Sequence, residues 1–314
     1  MTHLDRRLSC PMILAVVVLW MSLLQPLQAL EWRPVGGGIL RGISGMALVA
    51  QHRSGATTST RTTYLVVHDN KKPEEGRLAL VTVQGDEPPQ YRALPWPGDN
   101  PPVDLEALTS VPGQVGSFMA VTSAGTVYHF RLDATHTTVA LVKVLDLPNV
   151  ARGSNFEGFA LQSIGGVLLA VWADRGADER PSILYWSRLD LSTYKFSQVG
   201  SLPLRAPWPL STQAAPTAEV RHVSDLKVDS TGALFVSSAS DPGDDGPFQS
   251  ALYLAGVFSI NRDQITVRLS PNPLLLGRFS YHKIEAVDLV PGSNGGIVFA
   301  TDDENMGSSI YPDW

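Results

Sequence analysis

The chain has only one cysteine, and charged side chains make up only 17% of it. The cysteine, Cys10, lies close to the amino terminus, so the rest of the chain has no thiol for a disulfide or for a cysteine-based zinc site. Acidic residues outnumber basic ones by 30 to 24, for a formal net charge of -6. This balance excludes the strongly basic surface of most nucleic-acid-binding proteins. We therefore expect neither thiol chemistry nor a nucleic-acid partner.

Long apolar runs are also missing, with one exception at the amino terminus. Residues 12–24 are almost entirely apolar, and Arg6 and Arg7 precede them in a short polar head. This run of 13 residues is shorter than the roughly 20 that cross a bilayer as a helix. Together with the small residue Ala29, it is typical of a secretory signal peptide. We predict a signal peptide at 1–29 and a secreted or periplasmic domain at 30–314 with no membrane span. An uncleaved anchor is the alternative.

Common catalytic motifs and helical periodicity are absent as well. The chain has no G-x-S-x-G elbow, P-loop, dinucleotide-binding glycine motif or H-E-x-x-H zinc motif. Its 27 Gly and 23 Pro disfavour helices. Short apolar stretches rich in Val, Ile, Tyr and Phe recur instead, such as 78–83 and 167–172, and turn residues separate them. This pattern predicts an all-β domain.

A short motif recurs five times, at intervals of 51 to 68 residues. The five segments are 43–48, 105–110, 156–161, 224–229 and 284–289. A turn and an apolar strand follow each segment, which is typical of a β-propeller blade. Because the last repeat is short, we predict that a strand near residues 32–35 completes it and closes the ring. We predict five blades; a sixth blade within the 68-residue interval is the alternative.

The second position of these segments is polar in every repeat. It reads Ser44, Glu106, Glu157, Asp225 and Glu285. In a propeller, equivalent positions of the innermost strands face the axis at one height. Four carboxylates that converge on one axis need a compensating cation to stay ionised together. Oxygen ligands of this kind suit Ca²⁺, so these five residues are predicted to bind an axial calcium ion. The alternative is that they accept backbone hydrogen bonds or line a wet channel.

A second group of polar residues stands at the ends of the strands that follow, and it predicts a pocket on the same face. From it we predict Asp302 and Asp303, together with Glu157, as catalytic groups that bind metal or activate water. Arg175, Asp69 and Asn70 end other strands, while Arg41, His222 and His282 each stand three residues before a ring position. We predict that Arg175, His222, His282, Asp69 and Asn70 contact an anionic substrate. The alternative is that Asp and Asn end strands because they form good turns.

The order of these short motifs resembles the phytase-like β-propeller family, described as having esterase-like activity of phytase. The motifs are Gly-Ile-Ser-Gly-Met-Ala at 42–47, His-Asp-Asn at 68–70, Asn-Phe-Glu-Gly at 155–158 and Thr-Asp-Asp-Glu-Asn at 301–305. The ring is also similar to the axial calcium site of the calcium-activated nucleotidases, which reads Ser, Glu, Glu, Ser, Glu. The resemblance implies an exported propeller that hydrolyses phosphate or other esters. The second repeat departs from the pattern, with Thr122 and Ser123 where an acidic strand end is expected.

We therefore predict an exported, monomeric, calcium-binding propeller that hydrolyses a small anionic ester, either a phosphoric monoester or a carboxylic ester. Because propellers carry many functions on one fold, two alternatives stay open. One is a non-catalytic cell-envelope binding propeller in which calcium is structural. The other is a lactonase-like hydrolase.

Overall fold

Five four-stranded antiparallel sheets make up the structure, a computed structural model that describes residues 31–53, 60–206, 219–290 and 296–312. The predicted signal peptide lies outside the described residues. Four of the sheets are built from consecutive strands. The first contains β2 (Gly45–Arg53), β3 (Thr60–Val67), β4 (Leu78–Gln84) and β5 (Gln90–Leu94). The second contains β6 (Leu105–Ser110), β7 (Ser117–Thr122), β8 (Thr126–Leu132) and β9 (Val139–Asp146).

The third sheet contains β10 (Phe156–Ile164), β11 (Val167–Asp174), β12 (Ser182–Asp190) and β13 (Lys195–Leu204). The fourth contains β14 (Glu219–Val228), β15 (Ala233–Asp241), β16 (Gln249–Asn261) and β17 (Gln264–Ser280). The fifth contains β18 (Ile284–Leu289), β19 (Ile297–Thr301), β20 (Ser308–Tyr311) and β1 (Arg33–Gly36). Two 3₁₀ turns, Ile39–Arg41 and Glu304–Met306, complete the elements.

The first strands of the five sheets contact one another in a closed ring, in the order β2, β6, β10, β14, β18 and back to β2. This is a five-bladed β-propeller, as the repeat predicts. A separate apolar cluster fills each interface between neighbouring blades, because both faces of each sheet carry buried apolar side chains. The all-β, five-blade prediction is thus confirmed, and the described part of the 68-residue interval adds no sixth blade.

The amino-terminal strand β1 closes the ring. It pairs with β20, with Arg33 opposite Ile310, and supplies the outer strand of the fifth blade. Trp32 anchors this junction through edge contacts with Phe279 and Tyr311. The predicted closure is therefore confirmed, and it covers an edge of β20 that would otherwise be open to pairing. Among the described residues, no helix is long and apolar enough to cross a membrane.

Candidate functional site

Three glutamates face the channel because a β-bulge releases each of them from strand pairing. The register shifts between Leu105 and Ala107, between Phe156 and Gly158, and between Ile284 and Ala286. The residues skipped at these shifts are Glu106, Glu157 and Glu285. A bulge redirects the side chain of its extra residue, here in the same way in three blades. Ser44 holds the equivalent place in the first blade, directly before the pair Gly45–Val67.

In the fourth blade, the structure assigns the ring position to Ser224 instead of the predicted Asp225. Asp225 pairs with Ser237, as Ala107 pairs with Val121 after its bulge. The Asp225 carboxylate accepts a hydrogen bond from the Val287 amide, at 2.8 Å, and so joins the fourth blade to the fifth. The comparison of the five repeats placed the ring position one residue too late in the fourth repeat, because Ser224 and Asp225 are adjacent and both polar. The ring therefore reads Ser44, Glu106, Glu157, Ser224 and Glu285.

Because of the same one-residue error, the sequence analysis did not identify Arg221. With the ring position at Ser224, the residue three places before it is Arg221, which matches Arg41 and His282 in their repeats. The Arg221 Nη1 lies 2.6 Å from Glu285 Oε1 and 3.4 Å from Glu157 Oε2. Its Nη2 donates to Asp241 at the end of β15. The guanidinium therefore links glutamates of the third and fifth blades.

His222 has a structural role. The one-residue error in the fourth repeat had made it a predicted substrate contact. It is buried, with its Nε2 2.7 Å from the Asp178 carbonyl oxygen and its Nδ1 accepting a hydrogen bond from the Ala206 amide. Both ring nitrogens are thus occupied, and burial lowers the pKa of the imidazole. The predicted contact between His222 and a substrate does not fit this placement.

Two further cations contact the ring glutamates Glu157 and Glu285. We call the end of the channel at which these contacts lie the channel mouth. Arg175 Nη1 lies 3.3 Å from Glu157 Oε1, and its Nη2 lies 3.5 Å from Glu219. Lys283 Nζ lies 3.2 Å from Glu285 Oε1 and also contacts Glu304. Lys283 is fully buried, whereas the Arg175 side chain is 23% exposed. Of Arg175 and Lys283, Arg175 is thus the one that a ligand entering from solvent can reach.

Crowding of carboxylates shifts their pKa values upward. Burial raises the pKa of Glu157 to about 7, with Arg221 opposing the shift and Glu285 adding to it. Burial and then Glu157 hold the pKa of Glu106 well above its usual range, and burial and Glu285 do the same for Asp302. Burial raises the pKa of Asp69 to about 6. These carboxyl groups therefore bind protons more readily than carboxyl groups in water do.

His282 and Asp303 form a hydrogen-bonded pair next to this group. The His282 Nδ1 lies 2.7 Å from Asp303 Oδ2, and the Lys283 amide donates to Asp303 Oδ1 at 2.7 Å. The imidazole also packs on Trp32, with ring centroids 4.2 Å apart. A carboxylate beside Nδ1 favours a proton on Nδ1 and orients the imidazole ring. The sequence predicted both His282 and Asp303 as site residues, and the structure places them in direct contact.

The remaining predicted residues have different surroundings. The Asn70 amide is buried and donates to the carbonyl oxygens of Gly76 and Leu40, so it holds loops together. This placement does not fit the predicted contact between Asn70 and a substrate. The Asp302 carboxylate accepts from the Glu304 amide at 3.0 Å and packs against Gly42, where any side chain would collide with it. Asp302 thus packs between Gly42 and Lys283, whose Nζ lies 4.0 Å from Asp302 Oδ2.

Beyond the ring, one lysine crosses the channel. Lys227 Nζ lies 3.1 Å from Asp225 Oδ2 in its own blade and 3.1 Å from the Leu108 carbonyl oxygen in the second blade. The third blade separates those two blades, so the side chain spans the channel. It is almost completely buried. The Lys227 side chain therefore links the second and fourth blades below the ring.

The donor types of the ring suit a hard cation, but their arrangement does not fit one. Ser44 Oγ is buried with no hydrogen-bond partner, which is what a metal ligand without its metal would show. Among the described residues, however, no group of three or more His, Cys, Asp or Glu side chains is positioned to hold a metal ion. The Arg221 guanidinium contacts both Glu157 and Glu285, where an axial ion would bind. The residues present therefore do not fit an axial calcium ion.

Comparisons with known proteins identify no family for this chain. No protein-family model and no curated protein matches the chain. A thermostable family-43 glycoside hydrolase has a TM-score of 0.43 at 11% identity, covering 89% of this chain and 91% of the other. BBS1N in complex with ARL6DN has a TM-score of 0.33 at 14% identity, covering 90% of this chain and 97% of the other. The resemblance to the phytase-like family stays a prediction.

Proposed function

We propose that the protein is an exported hydrolase that cleaves an ester bond beside an anionic group at the mouth of the propeller channel. The observation that carries the proposal is Glu157, a buried carboxyl group held between Arg175 and Arg221. A buried titratable group with cations beside it is a typical acid–base site. The phytase-like resemblance supports an ester as the substrate.

In this proposal Arg175 binds the anionic group, because it is the most accessible cation beside Glu157. Glu157 removes a proton from a water molecule whose oxygen attacks the phosphorus or carbonyl carbon. The ester bond to the alcohol breaks, and Glu157 returns the proton to the leaving oxygen. His282, oriented by Asp303, is a second base for the water. A pKa of about 7 lets Glu157 exchange protons at neutral pH.

The test is hydrolysis of chromogenic phosphate monoesters and carboxylic esters by the purified protein, with excess Ca²⁺ and with chelator. We expect turnover that rises with pH through about 7, as Glu157 loses its proton. Glu157→Gln should lower kcat by about 100-fold or more, the usual contribution of a general base. Glu219→Gln is the matched control, since Glu219 also contacts Arg175 but is exposed to solvent. It should keep kcat within about threefold.

Absence of turnover on both ester classes, or full activity of Glu157→Gln, would reject this proposal. Dependence on Ca²⁺ would restore the calcium expectation that the sequence raises. Lactones belong in the same panel, because turnover of lactones alone favours the lactonase-like alternative.

A non-catalytic binding propeller is the second candidate. It is favoured by the pairing of Glu157 and Glu285 with cations of the chain itself, since such a closed network rigidifies a protein without needing a reaction. A protein that turns over no ester or lactone but whose Tm rises with an anionic ligand would support this candidate.

A further inference from the structure

A side chain of the protein lies between two glutamates of the ring. Arg221 is 12% exposed and contacts Glu157, Glu285 and Asp241, which come from the third, fifth and fourth blades. Its guanidinium contacts two of the carboxylates that the sequence predicts as calcium ligands. An arginine in this place supplies positive charge and directional hydrogen bonds to several carboxylates, the two roles that an axial ion would have.

The local backbone explains how Arg221 reaches the channel. In the second, third and fifth blades, the ring residue is the one residue that the strand pairing skips. In the first blade, pairing begins directly after Ser44. In β14 the register shifts between Arg221, paired with Ala239, and Asp225, paired with Ser237. Three residues on this strand thus face a single residue on β15. The Ser238 hydroxyl donates to the Arg221 carbonyl at 2.7 Å and holds this wide bulge.

We propose that Arg221 replaces an axial metal ion, so the native channel binds no divalent cation and gains a calcium site only when Arg221 is removed. With Arg221 in place these groups are not positioned as a metal site. Once it is removed, the groups that can move together are the carboxylates of Glu106, Glu157 and Glu285 and the buried, unpartnered hydroxyl of Ser44. All four are oxygen donors of the kind that Ca²⁺ prefers. This inference is independent of the proposed hydrolysis, because it concerns metal affinity and stability.

The test compares the native protein with Arg221→Met, using Ca²⁺ alone as the probe. Metal analysis of the native protein should find much less than one equivalent of calcium, and 1 mM Ca²⁺ should leave its Tm unchanged after chelator treatment. Arg221→Met leaves buried carboxylates without their cation, so its Tm should fall by about 6 °C or more. Added Ca²⁺ should recover at least half of that loss and bind with 1:1 stoichiometry by calorimetry.

Arg175→Met is the matched control, because Arg175 also contacts Glu157 but does not reach Glu285. It should gain no Ca²⁺ response. Adding Glu157→Gln and Glu285→Gln to Arg221→Met should abolish the gained binding. Tight calcium binding by the native protein would overturn the proposal. So would a folded Arg221→Met, judged by near-ultraviolet circular dichroism, that ignores Ca²⁺.

Arg221→Lys keeps the charge and covers the case in which Arg221→Met does not fold. A native protein and an Arg221→Lys variant that both ignore Ca²⁺ support the proposal, whereas a response by either one contradicts it.

Discussion

At the scale of single residues, two carboxylates beyond the ring carry a pH dependence of stability. Burial raises the pKa values of Asp225 and Asp288 to about 6, and Lys227 opposes both shifts. The folded state therefore binds protons more tightly than the unfolded chain, whose Asp pKa is about 3.9. Their contribution to the free energy of unfolding must fall as pH rises from about 4 to 6, and it stays low above that range.

Asp288→Asn should remove part of this dependence. The side-chain oxygen of Asn can still accept a hydrogen bond from the Leu48 amide, which lies 2.7 Å from Asp288 Oδ2. The charge on this half-buried side chain disappears. We expect the variant to exceed the native protein by about 1–2 kcal/mol in unfolding free energy at pH 8. Near pH 4 the difference should vanish. Urea unfolding at both pH values measures it, with the exposed Asp263→Asn as control. An equal gain at both pH values would contradict the argument.

At the scale of elements, the junction of β1 and β20 depends on glycine. Gly307 has a φ of +90°, and a Cβ there would collide with the Gly36 carbonyl oxygen. Both the backbone conformation and the close approach of the two strands therefore require glycine. The last blade closes only if this turn keeps its shape, because β1 has four residues and little pairing to spare.

Gly307→Ala should therefore destabilise the protein by about 2 kcal/mol or more, through backbone strain and loss of β1 pairing. Gly37→Ala is the neighbouring control: a Cβ there meets nothing within 4 Å, so its effect should stay below about 0.5 kcal/mol. Thermal and urea unfolding compare the two. Equal stability of the two variants would mean that the closure tolerates a displaced β1.

At the scale of the whole molecule, the ring is held by close contacts between inner strands. A Cβ on Gly45 would lie 2.6 Å from the Leu108 amide nitrogen of the second blade. Ala107 and Ala286 hold the equivalent positions in other blades. Gly158 holds this position in the third blade, where a Cβ would lie 2.8 Å from the Leu226 side chain of the fourth blade. Glycine thus allows a close approach of neighbouring blades at two places in the ring.

Gly45→Ala should wedge these blades apart at a cost of about 1–3 kcal/mol, the usual penalty for overpacking. Gly76→Ala places its methyl group in open space and should leave the Tm within about 1 °C of the native value. Calorimetry compares the two variants. A Gly45→Ala protein as stable as Gly76→Ala would show that the inner strands can shift apart freely.

The sequence alone determined the strands, the number of blades and the closing strand, because these follow from local apolar patterns and the spacing of one repeated motif. It also located the ring position in four blades. It misplaced the fourth, since neither charge nor hydropathy distinguishes which of Ser224 and Asp225 follows a bulge. That choice depends on pairing with β15.

Only the tertiary structure decided which charges compensate one another. Glu157, Arg221 and Glu285 lie on three different blades, and their contacts depend on the wide bulge in β14 and on the closure of the ring. A count of aligned carboxylates predicts a cation but does not identify it. Electrostatic compensation depends on distances of a few ångströms between residues far apart in the chain. The fold brings an arginine to that point.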